Sequence, residues 1–334
     1  MFDISHFSSV FPSEGPKPYD SSGVRDIETH RKTLDNQLFI DRVLSALGLP
    51  QPSNEPKPYP PRGDSGLKLL HHQIASAKVS VHAKLSVLYY LLLDHDSVRA
   101  NSNLADEFAD ASNLPSTYQL LMRGLWHLDR AQFDIAVQHL AHPSLPAEFS
   151  DDVLAVLLRH APDLPTTTTT KDTPKQKDYH LALAYYHTAR PHIHNPATFL
   201  LLFTALAQTS IPSALRFLRA NAPEHARRQL FEKLVATVLE HPLAAGSKGM
   251  ELAGLPLNTD EERWLDEYLT VGEGRRSRNA RALAELRGLV TGKGNGASVG
   301  SASGIELQSS ASASTPAKAT ATVSALGGGV RMGL

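Results

Sequence analysis

Sixteen histidines and no cysteine set the range of chemistry open to this 334-residue chain. Without cysteine there is no disulfide framework, no thiolate metal site and no cysteine nucleophile. The densest imidazole group is His187, His192 and His194, which flank Pro191 in HTARPHIH. A loop there could bring two rings together, yet no neighbouring carboxylate or thiol completes a metal-ligand set. His71 and His72 are adjacent, so on a helix they point to different sides. Asp151 and Asp152 follow Ser150, and Asp260, Glu261 and Glu262 follow Thr259. Both groups sit where first-turn acids cap a helix and oppose its dipole, and capping accounts for them better than acid–base work. No serine lies in a G-x-S-x-G elbow, and neither a phosphate-binding P-loop nor a dinucleotide fingerprint occurs. No catalytic residue, metal or cofactor is expected, so the chain is not expected to be an enzyme. A hydrolase is the remote alternative. It requires His187, His192 or His194 to converge with an acid in a pocket.

One charged group stands apart. Arg275, Arg276, Arg278, Arg281 and Arg287 concentrate basic charge in GRRSRNARALAELRGLV. A solvated helix face, an import element, a phosphate patch and a partner surface all fit that pattern. With Trp264 and Tyr268 just upstream, Arg275, Arg276, Arg278 and Arg281 are the candidate partner-binding residues. The whole chain carries 33 basic and 34 acidic residues, so no global field draws in nucleic acid or an acidic membrane. No apolar run approaches the roughly 18 residues of a membrane span, and the N-terminus lacks the pattern of a secretory signal. A soluble, intracellular protein is expected.

The elements that must position these residues read as helices throughout. The clearest stretch is YQLLMRGLWHLDRAQFDIAVQHL, residues 118–140. Leu121, Leu125 and Leu128 share one helix face; Phe133, Val137 and Leu140 share another. Between them Asp129 and Arg130 break the apolar pattern. Gly124 lacks a Cβ and admits a close neighbour, Ala136 is small, and Trp126 fills the wedge between helices. Upstream, helices are expected over Thr33–Leu47 and, as one long rod, over Ser65–Leu93; others follow over 97–111, 147–160, 178–189, 196–208, 211–219 and 223–239. No alternating strand pattern occurs. The fold class expected is all-α, an irregular α-solenoid or helical array with a disordered C-terminal tail.

The expected organisation has five parts. Residues 1–32 are a flexible N-terminal segment with an apolar hook that docks weakly on the domain. Residues 33–242 are the helical domain, interrupted by the proline-rich spacer 50–63, with six prolines, and by the threonine-rich insertion 162–177. Residues 243–257 are a glycine-punctuated linker, 258–292 an acidic helix followed by a basic one, and 293–334 a Gly/Ser/Ala-rich disordered tail.

The central hairpin also carries a family likeness. GLWHLDRAQFDIAVQHLAHPSL, residues 124–145, resembles the ELYS-like domain of nuclear pore assembly proteins. The signature positions are Gly124, Leu125, Trp126, Leu128, Asp129, Phe133, Ala136, Val137, Leu140 and Pro143. LALAYYHTARP (181–191), SALRFLRANAPEHARRQLFEKLVATVLEH (213–241) and EERWLDEYLTVGEGRRSRNARALAELRGLVTG (261–292) extend the likeness, the last looking like the end of short fungal members. The resemblance implies a non-enzymatic helical scaffold at the nuclear envelope, in the nuclear pore complex. Its implied partners are other nucleoporins of the Y-shaped outer-ring complex. Larger animal members add a β-propeller before this domain and chromatin-binding AT-hooks after it. The tail here has no Arg-Gly-Arg-Pro core, so direct DNA or chromatin binding is not carried over. A helical adaptor of a vesicle coat or a proteasome-lid-like assembly is the alternative.

Overall fold

Apolar residues three and four apart wind into helices along nearly the whole chain. The computed structural model describes residues 3–12, 14–49, 57–99, 102–145, 149–164, 177–240 and 245–292. Among the described residues there are sixteen α-helices and no β-strand. They are α1 (Phe7–Val10), α2 (Ser21–Thr33), α3 (Phe39–Ala46), α4 (Gly63–Ser76), α5 (Val81–Ser97), α6 (Leu104–Ser112), α7 (Ser116–Asp129) and α8 (Phe133–Leu140). Then come α9 (Ser150–Arg159), α10 (His180–Ala189), α11 (Pro196–Thr209), α12 (Ile211–Asn221), α13 (Glu224–Glu240), α14 (Ala245–Gly254), α15 (Thr259–Thr270) and α16 (Ala280–Thr291). A 3-10 turn at Glu273–Arg276 joins the last two. Most helices pack on near neighbours in the chain, α7 on α8, α9 on α10 and α11, α11 on α12, α12 on α13. That serial packing is what an irregular solenoid requires.

The centre is α5. Every residue from Leu85 to His95 is buried, because α3, α4, α6 and α7 all pack on it. A helix buried all round has no polar stripe, and LSVLYYLLLDH has almost none. Its two polar members near the end are Asp94 and His95, and Asp94 ties α5 to the N-terminal segment and to α7.

Four expectations need correction. The rod over Ser65–Leu93 is two helices. Ala77 turns extended at ψ 142°, the Lys84 ammonium donates to Ala75 O at 2.7 Å, and Ser80 Oγ accepts from Ala83 N at 3.2 Å to start α5. An N-cap serine inside an unbroken apolar seam marks the restart. The helix expected over Thr33–Leu47 begins instead at Phe39. Asp35 and Asn36 adopt left-handed φ of 57° and 62°, which short Asp and Asn side chains tolerate and which ends α2.

Residues 1–32 are not a loose segment among the described residues. They form α1 and α2, and Phe11 and Tyr19 are 2% and 4% exposed. Finally, 243–257 is no linker: α14 occupies Ala245–Gly254, with Leu252 and Ala253 fully buried. Its neighbours α15 and α16 pack back on α13 and α14, so residues 1–293 make one compact unit without the expected break at 242.

Of the proline-rich spacer, residues 50–56 lie outside the described residues. Its remainder is packed, with Tyr59 2% exposed. The threonine run also lies outside them. Its flanks are pinned by Asp178 N donating to Pro162 O at 2.7 Å and by an isolated bridge between Asp163 and Lys177. The tail expected over 293–334 falls outside the described residues.

Candidate partner-binding surface

The signature hairpin is a structural lock. Gly124 lies against α8 so closely that a Cβ on it would stand 2.5 Å from Leu140 Cγ. Leu128 and Ala136 are fully buried beside this contact, and Phe133 packs over His160 at 6.0 Å between ring centroids. Trp126 is half-buried and does more than fill space. Its indole N–H donates to Asp94 Oδ1 at 2.9 Å, and the Arg130 guanidinium lies 4.0 Å over its ring.

Asp94 collects donors from four places. Tyr19 OH and Tyr59 OH reach Oδ2 at 2.7 and 2.9 Å, while Arg130 shares Oδ1 with Trp126 at 2.8 Å. The N-terminal segment and the end of the proline-rich stretch are thereby tied to α5 and α7. Burial, together with the Asp94 charge, pushes both phenols well above their usual range, so they remain donors at any pH the protein meets.

Asp129, the second carboxylate, caps α3 from a distance of ninety positions in sequence. Its oxygens accept from Phe39 N at 2.6 Å, Ile40 N at 3.0 Å and Tyr90 OH at 2.9 Å. Burial raises its carboxyl to about 7 against the pull of those three donors. The break in apolar pattern at Asp129 and Arg130 is thus a buried polar junction rather than a solvent-facing turn. Sequence reasoning did not supply Asp94 or Tyr19. The one available signal was a charged residue following seven nearly uninterrupted apolar ones in α5.

The C-terminal candidates divide in two. Trp264 and Tyr268 are half-buried and belong to the packing: Trp264 faces Phe231 at 6.0 Å, and the Tyr268 ring seats on Gly274, where a Cβ would meet it at 2.5 Å. Arg275, Arg276, Arg278 and Arg281 are exposed. Arg281 pairs with Glu285 at 2.9 Å, one helical turn on. The other three have no ion pair or hydrogen-bonded side-chain partner among the described residues. Arg287 is not part of this group. It is 8% exposed and donates to Ala253 O at 2.5 Å and Leu255 O at 2.6 Å, with Glu262 completing the clamp that holds α16 to the end of α14.

The first-turn acids of α15 serve the same packing. Asn258 and Glu261 form a capping box, and Glu261 also accepts from Arg219 Nε at 2.9 Å and Nη2 at 2.6 Å. Burial works to raise the Glu261 carboxyl, but Arg219 and the Asn258 N–H hold it below its ordinary value. His192 and His194 stack at 6.4 Å between centroids. The acid that reaches their loop, Asp151, spends its Oδ2 on backbone donors, His194 N at 3.0 Å and Asn195 N at 2.8 Å. It caps the approach to α11 rather than its own helix. Asp152 pairs with Arg42. Among the described residues no three His, Cys, Asp or Glu side chains gather as metal ligands, and no helix is long and apolar enough to cross a membrane.

Fold and site together define a class: an all-helical stack whose buried ionisable clusters hold its own helices together and which presents a group of exposed guanidiniums on the turn between α15 and α16. Residues 37–272 match the model of the ELYS family, described as nuclear pore complex assembly, and the chain belongs to that family. It is 32% identical over 142 residues to the uncharacterized protein ely5 of Schizosaccharomyces pombe, an alignment covering 42% of this chain and 44% of that protein. The chain thus matches less than half the length of that relative.

Proposed function

We propose that this protein is a non-enzymatic scaffold nucleoporin that docks on the outer-ring subcomplex at the nuclear envelope and supports pore assembly. The observation that carries the proposal is membership of the pore-assembly family over 37–272, joined to where the signature residues lie. Gly124, Leu128, Asp129, Ala136 and Leu140 are all buried, so they make the body rigid and leave recognition to its outer surface. Exposed Arg275, Arg276, Arg278 and Arg281 are the proposed contact residues; Tyr268 supports their turn through Gly274, and Trp264 holds α15 to α13 through Phe231. Rigid presentation lowers the ordering cost that a flexible tail would meet on binding.

A fluorescently tagged copy tests this directly. A rim at the nuclear envelope, with outer-ring subunits co-purifying, is the expected result. Diffuse or vesicular signal favours an adaptor of another complex and refutes the proposal. Removing everything after residue 256 would not isolate the arginines, because it also strips Phe231 of Trp264 and Arg219 of Glu261. Substitutions at the exposed arginines leave the body intact.

A further inference from the structure

The turn between α15 and α16 is built more tightly than a connecting loop needs. Val271 N and Gly272 N both donate to Glu267 O, at 2.9 and 2.8 Å, closing the end of α15. Arg275 N then donates to Gly272 O at 3.3 Å and Ser277 N to Gly274 O at 2.9 Å. Asn279 Nδ2 fastens the far end to Leu239 O on α13 at 3.2 Å. Two glycines make this possible. A Cβ at Gly272 would lie 3.0 Å from Tyr268 Cα, and at Gly274 2.5 Å from the Tyr268 ring. What so many backbone bonds hold up is Val271, 82% exposed, and three guanidinium groups without partners among the described residues, Arg275, Arg276 and Arg278. The three arginines of this turn lie past the family-matched region, which ends at residue 272.

We infer that the Val271–Arg278 turn is a docking point for an acidic segment of a partner protein that carries an apolar side chain between its carboxylates. The inference rests on the scaffold function proposed above and names the chemistry of the partner. Planar guanidinium forks on a fixed backbone suit carboxylates in paired geometry. The valine distinguishes the occupant: a phosphate backbone offers nothing to cover it, whereas an amphipathic helix or strand does. Exposed Glu273, inside the same turn, repels a continuous polyanion but leaves room for discrete carboxylates set to either side. A neutral overall charge likewise gives nucleic acid no long-range attraction.

The test uses the purified full chain and three labelled probes followed by fluorescence anisotropy. They are a synthetic amphipathic peptide with glutamates flanking leucines, the same peptide with lysine for glutamate, and a short DNA duplex. The acidic peptide should bind, more tightly at low salt, and the basic one should not. The triple variant R275E/R276E/R278E should weaken acidic-peptide binding about tenfold or more, as three exposed charge pairs are reversed. Val271→Ser should weaken it about threefold. Unchanged thermal unfolding of both variants, whose substituted side chains are exposed, shows that the body is intact. The inference is overturned if the acidic peptide does not bind, if the triple variant binds it equally, or if DNA binds better and is lost in that variant. Localisation separates this from the function itself. A wild-type chain absent from the nuclear rim refutes the scaffold proposal whatever the peptides do. A triple variant that stays at the rim with its outer-ring partners refutes only the turn.

Discussion

Replacing Asp129 by alanine probes the junction on which the signature hairpin depends. The substitution leaves Phe39 N, Ile40 N and Tyr90 OH without their acceptor in a region closed to water. Each orphaned buried donor costs about 1–3 kcal/mol, so three of them give an expected loss of about 3–9 kcal/mol where the wild-type carboxyl is protonated. The carboxyl's own burial works against this at higher pH. Its folded-state value is about 7, above the ordinary 3.8, so folding binds a proton across that interval. The stabilisation linked to that proton is fully present below the unfolded value and is lost as pH rises through the folded one. At about 1.4 kcal/mol per unit, the wild type should lose roughly 3 kcal/mol between pH 5 and pH 8 that D129A does not lose. His95, held down to about 4 by burial, tilts stability the opposite way over part of the range. Both chains contain it, so it cancels in the difference. Urea unfolding of wild type and D129A at pH 5 and pH 8 measures the effect. Parallel pH profiles, or a D129A penalty larger at pH 8, refute the account of Asp129 as a buried, proton-linked cap. Amide exchange at Phe39 and Ile40 should quicken selectively in the variant.

Further outcomes rest on single contacts. Gly124→Ala should cost about 1–3 kcal/mol by chemical denaturation, because the new methyl meets Leu140, and it should cost less in a Leu140→Ala background than in the wild type. Arg219→Ala leaves Glu261, 2% exposed, without its guanidinium, and should lower the thermal midpoint and open the α14–α15 connection to proteolysis. Since Glu261 is held below its ordinary value, the stabilisation Arg219 supplies is present near neutral pH and should fade as pH falls through the carboxylate range. Ser80→Ala removes the cap that separates α4 from α5 and should cost about 1 kcal/mol, without merging the two helices.

How much of this was legible in the sequence depends on the range of the interaction. Short-range pattern located α7, α8, α11, α12 and α13 closely, because each depends on its own spacing of leucines and phenylalanines. Gly124 could be assigned to a close approach because a glycine among leucines has few other uses in a helix. Breaks were harder. Asp35 and Asn36 are turn-prone residues, but the apolar spacing reads through them, and the left-handed backbone shows that they end one helix before the next begins. Ser80 sat within a perfect three-and-four spacing, and periodicity carries no information about a cap that resets the register.

Polar residues whose partners lie far off in sequence were not legible at all. Asp129 reads as the end of α7, since the amides it caps belong to Phe39 and Ile40. Arg287 reads as one member of a basic face, since the carbonyls it serves belong to Ala253 and Leu255. In both cases a buried charge persists only where several partners converge on it, because an unpartnered one would be too costly to fold. That condition explains the division of labour in this chain. Asp129 in the signature, and Glu261 and Glu262 in the first turn of α15, are tied to backbone amides, a phenol and guanidinium groups. Arg275, Arg276 and Arg278 meet the opposite condition, charged, rigidly held and unpaired among the described residues. That contrast, joined to exposed Val271 beside them, is what the proposed docking at the Val271–Arg278 turn rests on.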